Sequence, residues 1–134
     1  MKLLKDNLVF LPLGGTGEIG MNCNLYHYND SWIMIDLGVT FSDLSMTPYD
    51  IIMPDLNFIL EKKVQLSGLI LTHAHEDHIG AVPYLYKYLN NIPIYTTPFT
   101  ASVLKRKFES VGCTNYKIIL LEYNKRFKIG AFDI

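Results

Sequence analysis

The sequence predicts one α/β domain, in which helices cover a mixed β-sheet. A length of 134 residues fits at most one domain. Hydrophobic residues make up 49% of the chain, which is enough for a packed core. The apolar segments read first as strands and then as alternating strands and helices, an order typical of α/β layers.

The first part of the chain is predicted to be mainly β-structure. Its apolar, β-rich runs are separated by glycines and other turn-forming residues. Asn29-Asp30 joins two of these runs and favours a tight hairpin. The predicted elements are strands at residues 8–13, 24–28 and 31–36, a glycine-rich turn at residues 14–20, and a long irregular loop at residues 39–55, where the periodicity is weak.

The second part of the chain alternates between strands and helices. Asp55 is predicted to cap a short helix that carries Leu56, Ile59 and Leu60 on one face. Pro83 falls in the first turn of a longer helix, where proline is tolerated. The predicted elements are helices at residues 56–63, 79–89 and 98–110, strands at residues 68–72, 92–96 and 116–121, and a hairpin with arms at residues 127–129 and 132–134 that turns at Gly130.

The most informative segment is residues 72–80, which read Thr-His-Ala-His-Glu-Asp-His-Ile-Gly. Four side chains in this segment can bind a metal: His73, His75, Asp77 and His78. They follow a predicted strand and precede a predicted helix, so a short turn brings them together. Isolated histidines are usually surface or core residues, but four metal-binding side chains at this spacing predict a metal site.

The spacing of these residues favours two neighbouring ions. His73 and His75 are two positions apart and point to the same side of an extended segment. Asp77 and His78 come after the chain has turned and are placed to serve a second ion. Two metals that share a hydroxide are suited to the hydrolysis of esters, amides or phosphodiesters.

Charge and composition exclude some functional classes and leave others open. A formal net charge of −1 gives no global electrostatic case for binding nucleic acid or membrane. The basic clusters at residues 105–107 and 125–128 are interpreted as solvated surface. No apolar run approaches the roughly 20 residues needed to span a bilayer, and the N-terminus lacks a secretory signal.

The two cysteines, Cys23 and Cys113, indicate a reducing compartment. They are far apart and form no C-x-x-C pattern, so no disulfide framework is predicted. Cys23 lies in a predicted strand and is interpreted as a small buried apolar residue. We therefore expect a cytoplasmic protein.

Gly15, Gly17 and Gly20 fit the bare G-x-G-x-x-G pattern of dinucleotide-binding proteins. However, the residues that follow are β-rich, so a pyrophosphate would lack the helix N-terminus that binds it. The segment is interpreted instead as a tight turn that lets the backbone pass close to the metal-binding loop.

These motifs together resemble the metallo-β-lactamase fold, and more narrowly the ribonuclease J branch of the β-CASP nucleases. The H-x-H-x-D-H motif is specific only to the superfamily. The branch is indicated by the glycine-rich segment that ends in Asn22. The resemblance covers nearly the whole chain and also rests on Asp36-x-Gly38, on Gly38-x-x-Phe41, on Tyr49-Asp50-x-x-x-Pro54-Asp55, and on the segment 79–85.

The resemblance implies a metal-dependent ribonuclease with 5′-to-3′ exonuclease and endonuclease activity on RNA, in which a hydroxide activated by two metals attacks the phosphodiester. His73 and His75 would bind one zinc ion, and Asp77 and His78 the other, with manganese as the alternative metal. Asp77 would also help to position the hydroxide, as a catalytic residue. Asp36 would orient the histidine loop by accepting a hydrogen bond from a ligand. The family also suggests homo-oligomers.

The resemblance further implies that residues 1–134 are the N-terminal portion of a metallo-β-lactamase αββα sandwich. In the superfamily a third histidine and a shared aspartate come from later motifs, as does the β-CASP domain, and His27 matches no ligand position. The chain stops within a predicted strand, at Asp133-Ile134. We therefore expect a truncated domain without β-CASP and C-terminal domains, with weak metal affinity and little or no nuclease activity.

Two alternatives stay open from the sequence. One is a hydrolase of the same fold that acts on a small ester, thioester, lactone or β-lactam. The other is a non-catalytic remnant that binds metal or RNA, or is completed by another chain. Glu76, next to the proposed ligands, is interpreted as a structural residue or as a hydrogen-bonding partner of the ligands.

Overall fold

The computed structural model describes residues 6–42 and 50–134. The strands are β1 (Val9–Gly14), β2 (Cys23–Tyr28), β3 (Ser31–Ile35), β4 (Thr40–Phe41), β5 (Ile51–Ile52), β6 (Leu66–Ile70), β7 (Ile94–Thr96), β8 (Ile118–Leu120), β9 (Lys128–Ile129) and β10 (Phe132–Asp133). The helices are α1 (Asn57–Glu61), α2 (Glu76–Ile79), α3 (Val82–Leu85) and α4 (Pro98–Ser110), with a 3₁₀ turn at Tyr86–Tyr88. The longest helix in this described part, α4, has 13 residues, and none there is long and apolar enough to cross a membrane.

Six strands form one mixed sheet in the order β1-β2-β3-β6-β7-β8. The pairs β1–β2 and β2–β3 are antiparallel, whereas β3, β6, β7 and β8 pair in parallel. The carboxyl ends of these four parallel strands therefore meet at one edge of the sheet. Ligands bind at this edge in open α/β sheets.

The hairpin between β2 and β3 forms as its sequence predicts. Asn29 and Asp30 have φ angles of 45° and 60°, and Tyr28 pairs directly with Ser31. Two successive residues with positive φ are characteristic of a type I′ turn, whose twist matches that of the flanking strands. The mixed sheet thus begins with a locally encoded hairpin.

The two faces of the main sheet carry different layers. Alternate side chains such as Leu25, Met34, Leu69 and Ile94 pack on one face against the helices in the main core. On the opposite face Ile33 and Ile70 pack with Ile129 of the β9–β10 hairpin, which forms a second, two-stranded sheet. The predicted architecture of a mixed sheet covered by helices is confirmed.

The predicted helix at residues 79–89 is wrong in its start and in its continuity. Helix α2 begins three residues earlier, at Glu76, and the remainder is broken into α3 and the 3₁₀ turn. The Ala81 N–H donates to the Leu37 carbonyl, 3.1 Å away, instead of continuing the helical ladder. Pro83, which has no N–H to donate, then lies in the first turn of α3. Tertiary hydrogen bonds therefore interrupt the helix.

Other parts of the chain also differ from the sequence predictions. The interval predicted to be an irregular loop contains the antiparallel pair β4–β5, although Pro48 and Tyr49 lie outside the described residues. The N-cap position of helix α1 is Leu56 rather than the predicted Asp55, although the Asp55 carboxylate accepts a hydrogen bond from the Asn57 N–H. Leu60, predicted on the buried face, is 46% exposed. Helix α4 and the β9–β10 hairpin lie where predicted.

Candidate metal centre

The histidine motif forms the connection between β6 and α2, at the carboxyl edge of the parallel strands. Strand β6 ends at Ile70, and the chain turns over residues 71–75 into the first turn of α2. His75 is the N-cap residue and has extended backbone angles. Its carbonyl accepts hydrogen bonds from the N–H groups of His78 and Ile79. Part of the motif is therefore extended and part helical, whereas the sequence predicts a turn that ends before a helix beginning at Ile79.

Backbone hydrogen bonds from other segments fix the first turn of α2. The Glu76 carbonyl accepts the Val39 N–H at 3.0 Å, and the His78 carbonyl accepts the Leu37 N–H at 2.8 Å. The Asp77 carbonyl accepts the Asn22 N–H at 2.9 Å. A four-residue helix is too short to be stable alone, so these tertiary bonds determine where it forms.

Gly38 allows this close approach. A β-carbon at Gly38 would overlap the carbonyl group of Asp77 and crowd the His78 nitrogen. Its own N–H donates to the Asn22 carbonyl at 2.9 Å, which joins the segment after β3 to the residues before β2. The Asp36-x-Gly38 motif is thus needed to hold the histidine turn against the sheet edge.

Asp36 is the buried carboxylate beneath the turn. It is 4% exposed and has a φ of 61°, a left-handed conformation that aspartate tolerates better than most residues. Its Oδ1 accepts hydrogen bonds from the Thr72 N–H at 2.9 Å and the Thr72 hydroxyl at 3.0 Å, and its Oδ2 lies 2.7 Å from His78 Nδ1. The carboxylate therefore holds both ends of the histidine turn.

These contacts define the tautomers of two histidines. Because a carboxylate can only accept, His78 carries a proton on Nδ1, and its Nε2 presents a lone pair 3.3 Å from Asn22 Nδ2. The Thr72 hydroxyl also contacts Asp36, so its single proton goes to the carboxylate and it accepts from His73 Nδ1, 3.0 Å away. Both rings thus keep Nε2 unprotonated and able to bind a metal, as the Nδ1 hydrogen bonds of metal-binding histidines do.

The structure brings the four predicted side chains together. The ring centroid of His73 lies 4.5 Å from that of His75 and 4.1 Å from that of His78. Asp77 Oδ2 lies 3.4 Å from His78 Nε2. Nitrogen and carboxylate donors of this kind fit zinc and similar divalent ions. Within residues 6–42 and 50–134, however, no group of three or more histidine, cysteine, aspartate or glutamate side chains is arranged to hold a metal ion.

A comparison with known families decides the membership of the chain. Residues 16–109 match the metallo-beta-lactamase superfamily, and this range contains Asp36 and the whole histidine turn. The chain belongs to the metallo-beta-lactamase superfamily.

Curated relatives in this superfamily are ribonucleases J. This metallo-beta-lactamase chain is 44% identical to ribonuclease J of Sinorhizobium meliloti over 96% of its length, and 39% identical to that of Helicobacter pylori over 97%. It spans only 24% and 19% of those two proteins. The predicted resemblance to ribonuclease J is confirmed at the level of sequence similarity.

Solved structures confirm the fold. The metallo-beta-lactamase fold protein YhfI from Bacillus subtilis superposes with a TM-score of 0.60 at 19% identity, over 96% of this chain and 51% of that one. The metallo-beta-lactamase IND-7 gives 0.52 at 18% identity, over 99% and 56%. The predicted α/β class and partial αββα sandwich agree with these neighbours. The layers described above are helices, the main sheet and the small β9–β10 sheet.

Sequence reasoning missed Asn22. Its side-chain Nδ2 lies 3.1 Å from the Asp77 carbonyl, 3.4 Å from Asp77 Oδ2 and 3.3 Å from His78 Nε2. The residue is separated from Asp77 by 55 positions, so no local pattern could place the two together. The signal in this metallo-beta-lactamase sequence was its place as the last residue of the glycine-rich motif, which carried no role for its side chain.

Other polar groups near the motif have structural partners. Glu76 Oε1 forms an ion pair with Lys107 of α4, in agreement with its interpretation as a structural residue. His27 is buried in β2 with its ring centroid 4.8 Å from that of Trp32. Cys23 is fully buried, and burial, with a further contribution from the Asp36 charge, raises the pKa of its thiol to about 12. Neither cysteine forms a disulfide.

Proposed function

We propose that this chain carries the histidine-aspartate part of the active site of a metal-dependent, ribonuclease J-like enzyme that hydrolyses RNA phosphodiesters. The observation that carries the proposal is the turn of His73, His75, Asp77 and His78, anchored by Asp36 at the carboxyl edge of a metallo-beta-lactamase sheet. Identities of 33–44% to ribonucleases J over most of the chain support RNA as the substrate class.

The metal ligands of the proposal are the four predicted residues. His73 and His75 hold one divalent ion, and Asp77 and His78 hold the other, with zinc as the first candidate and manganese as the second. The relatives are four to five times as long as the segment they share with this chain, so further ligands are expected from sequence outside these 134 residues. When bound, the ions would supply water of lowered pKa and charge neutralisation at the phosphate.

Residues of the chain itself prepare the site. Asp36 fixes His78 with Nε2 unprotonated, and through Thr72 it fixes His73 in the same way. Asp77 presents Oδ2 beside His78 Nε2, where it can accept a hydrogen bond from an attacking water. Hydrogen bonds thus orient the His73 and His78 rings without a metal.

Metal retention is the first experiment. The chain is equilibrated with zinc or manganese, loosely bound metal is removed, and the retained ions are counted by elemental analysis. We expect His73→Ala and Asp77→Ala to lose retained metal and His27→Phe to keep it, because His27 packs against Trp32 outside the cluster. Equal retention in all four proteins would contradict the proposed ligand set.

Substrate class is tested on the metal-loaded chain with an RNA oligonucleotide and a small thioester. Cleavage of RNA that is lost in His73→Ala and Asp77→Ala supports the ribonuclease. Turnover of the thioester with intact RNA would favour the alternative of a small-ester hydrolase. Metal retention without either activity is expected if the missing ligands and the RNA-binding β-CASP region are required, and the same assays are then repeated with the longer protein.

The cellular location and the oligomeric state of the chain can both be measured directly. Two cysteines without a disulfide fit a reducing cytoplasm. The partners proposed are an RNA substrate and further copies of the same chain. Sedimentation velocity at several concentrations would show whether the chain self-associates.

A further inference from the structure

The glycine-rich segment is the motif that the proposed ligands leave unexplained. It connects β1 to β2 and ends at Asn22, directly before the strand begins. Gly15, Gly17 and Gly20 have φ angles of 83°, 79° and 102°, so the loop bends through conformations that favour glycine. This bend places Asn22, the last residue of the loop, next to Asp77.

Asn22 is joined to the histidine turn by its backbone and by its side chain. Its N–H donates to the Asp77 carbonyl at 2.9 Å, and its Nδ2 donates to the same oxygen at 3.1 Å. Its own carbonyl accepts the Gly38 N–H. The residue is therefore fixed between the helix α2 and the segment that follows β3.

The second N–H of the Asn22 amide faces two acceptors. It lies 3.4 Å from Asp77 Oδ2 and 3.3 Å from His78 Nε2. Because Asp36 holds the His78 proton on Nδ1, Nε2 presents a lone pair, and the carboxylate oxygen is only 3.4 Å from it. Two acceptors this close repel each other unless a donor or a cation lies between them. In the metal-free chain the Asn22 amide provides that donor.

The loop is shaped around this amide. A β-carbon at Gly15 would overlap the Asn22 Oδ1 atom, whereas a β-carbon at Gly17 would meet nothing within 4 Å. The two glycines have nearly the same φ, so they differ in their contact with Asn22 rather than in backbone strain. The absence of a β-carbon at Gly15 thus leaves room for the Asn22 side chain, whereas Gly17 does not contact it.

We propose that Asn22 is a positioning residue, whose amide holds the Asp77 carboxylate and the His78 ring with their lone pairs directed at one point. This inference rests on the proposed function, because it assigns these two groups as ligands of one ion. A cation that binds them replaces one N–H contact, while the bond from Nδ2 to the Asp77 backbone keeps the turn in place. Partners of ligands in this position change metal affinity about 10- to 100-fold when they are removed.

The test uses two matched pairs of variants in the 134-residue chain. Asn22→Leu keeps the approximate shape of the side chain and removes its donor. Asn24→Ala is its control, because Asn24 Oδ1 is buried without a hydrogen-bond partner. Gly15→Ala displaces the Asn22 side chain, and Gly17→Ala introduces a similar φ strain into open space. Zinc affinity is measured by titration, the χ1 rotamers of Asp77 by NMR without metal, and the free energy of unfolding by urea.

We expect Asn22→Leu and Gly15→Ala to weaken zinc binding about tenfold or more. In the same two variants, the Asp77 side chain should exchange between χ1 rotamers. The zinc affinity and the Asp77 rotamer should be unchanged in Asn24→Ala and Gly17→Ala. If the Asn22→Leu chain loses only unfolding free energy, or binds zinc more tightly, the positioning role is overturned. If no chain binds zinc but Asp77 still loses its single rotamer in Asn22→Leu, the positioning role stands and the proposed metal centre fails.

Discussion

At the scale of single residues, the site depends on the Asp36 carboxylate. It is buried, it accepts two hydrogen bonds from Thr72, and it lies against His78. A buried charge needs such partners, because an unpaired one is strongly disfavoured. The same contacts that satisfy the carboxylate also set the tautomers of the histidines.

We predict that Asp36→Asn lowers the free energy of unfolding by about 1–3 kcal/mol. Asparagine tolerates the φ of 61° and keeps the shape of the side chain. However, it has no charge, and an NH₂ group replaces one of the two accepting oxygens. Urea unfolding measures the change, with the exposed Asp6→Asn as the control. Equal stability of the two variants would show that the Asp36 contacts contribute little to folding.

The two thiols should differ sharply in reactivity. Burial raises the pKa of Cys23 from 9.0 to about 12, so the thiolate is the minor form at pH 8 and remains so until the pH approaches 12. Cys113 is partly exposed. At pH 8 we expect the Cys113→Ser chain to react with a thiol reagent only after urea is added, whereas the Cys23→Ala chain reacts when folded. Fast labelling of Cys23 in the folded chain would contradict its burial.

At the scale of elements, the position of helix α2 is set by hydrogen bonds from neighbouring segments to its carbonyl groups. Its four residues cannot sustain a helix alone, and its carbonyl groups bond to Asn22, Leu37 and Val39. This explains why a prediction from apolar periodicity placed the helix start three residues too late. The periodicity begins at Ile79, but the hydrogen bonds begin at Glu76.

We predict that Gly38→Ala costs about 2–3 kcal/mol of unfolding free energy, because the added methyl group overlaps the Asp77 carbonyl and forces the backbone apart. The control is Gly112→Ala, whose β-carbon would meet nothing and whose φ of 69° costs about 1 kcal/mol. Backbone amide shifts of residues 76–78 should move in Gly38→Ala and not in the control. A smaller loss than in the control would mean that the segment after β3 yields easily.

At the scale of the whole molecule, the main sheet has two edge strands. In the part of the chain that the structure describes, β1 pairs only with β2, and β8 pairs only with β7. Phe10 and Leu120 on these edges are 48% and 55% exposed. Unpaired, apolar edges are surfaces at which strands of other chains can add.

We predict that the double variant Phe10→Lys, Leu120→Lys self-associates less than the parent chain, because lysine at an edge disfavours strand addition. Leu60→Lys is the control, since Leu60 is 46% exposed but lies on α1 rather than on an edge. Sedimentation velocity at rising concentration measures the difference. An equal effect of the control would attribute any association to exposed apolar area in general.

The sequence by itself determined the features that depend on near neighbours. Asn29-Asp30 encodes a type I′ turn, and the segment from Pro98 to Ser110 encodes a helix. The motif at residues 72–80 also fixes which donor atoms are available. In each case the physical cause acts within a few residues, through φ preference or helical periodicity.

Only the tertiary structure decided how those donors are arranged. Asp36 meets His78 across 42 positions, and Asn22 meets Asp77 across 55. The same long-range contacts decide where α2 starts and which histidine nitrogen carries a proton. Burial and hydrogen-bond geometry select these pairings from many that the residue types would allow, and a linear sequence does not contain that geometry.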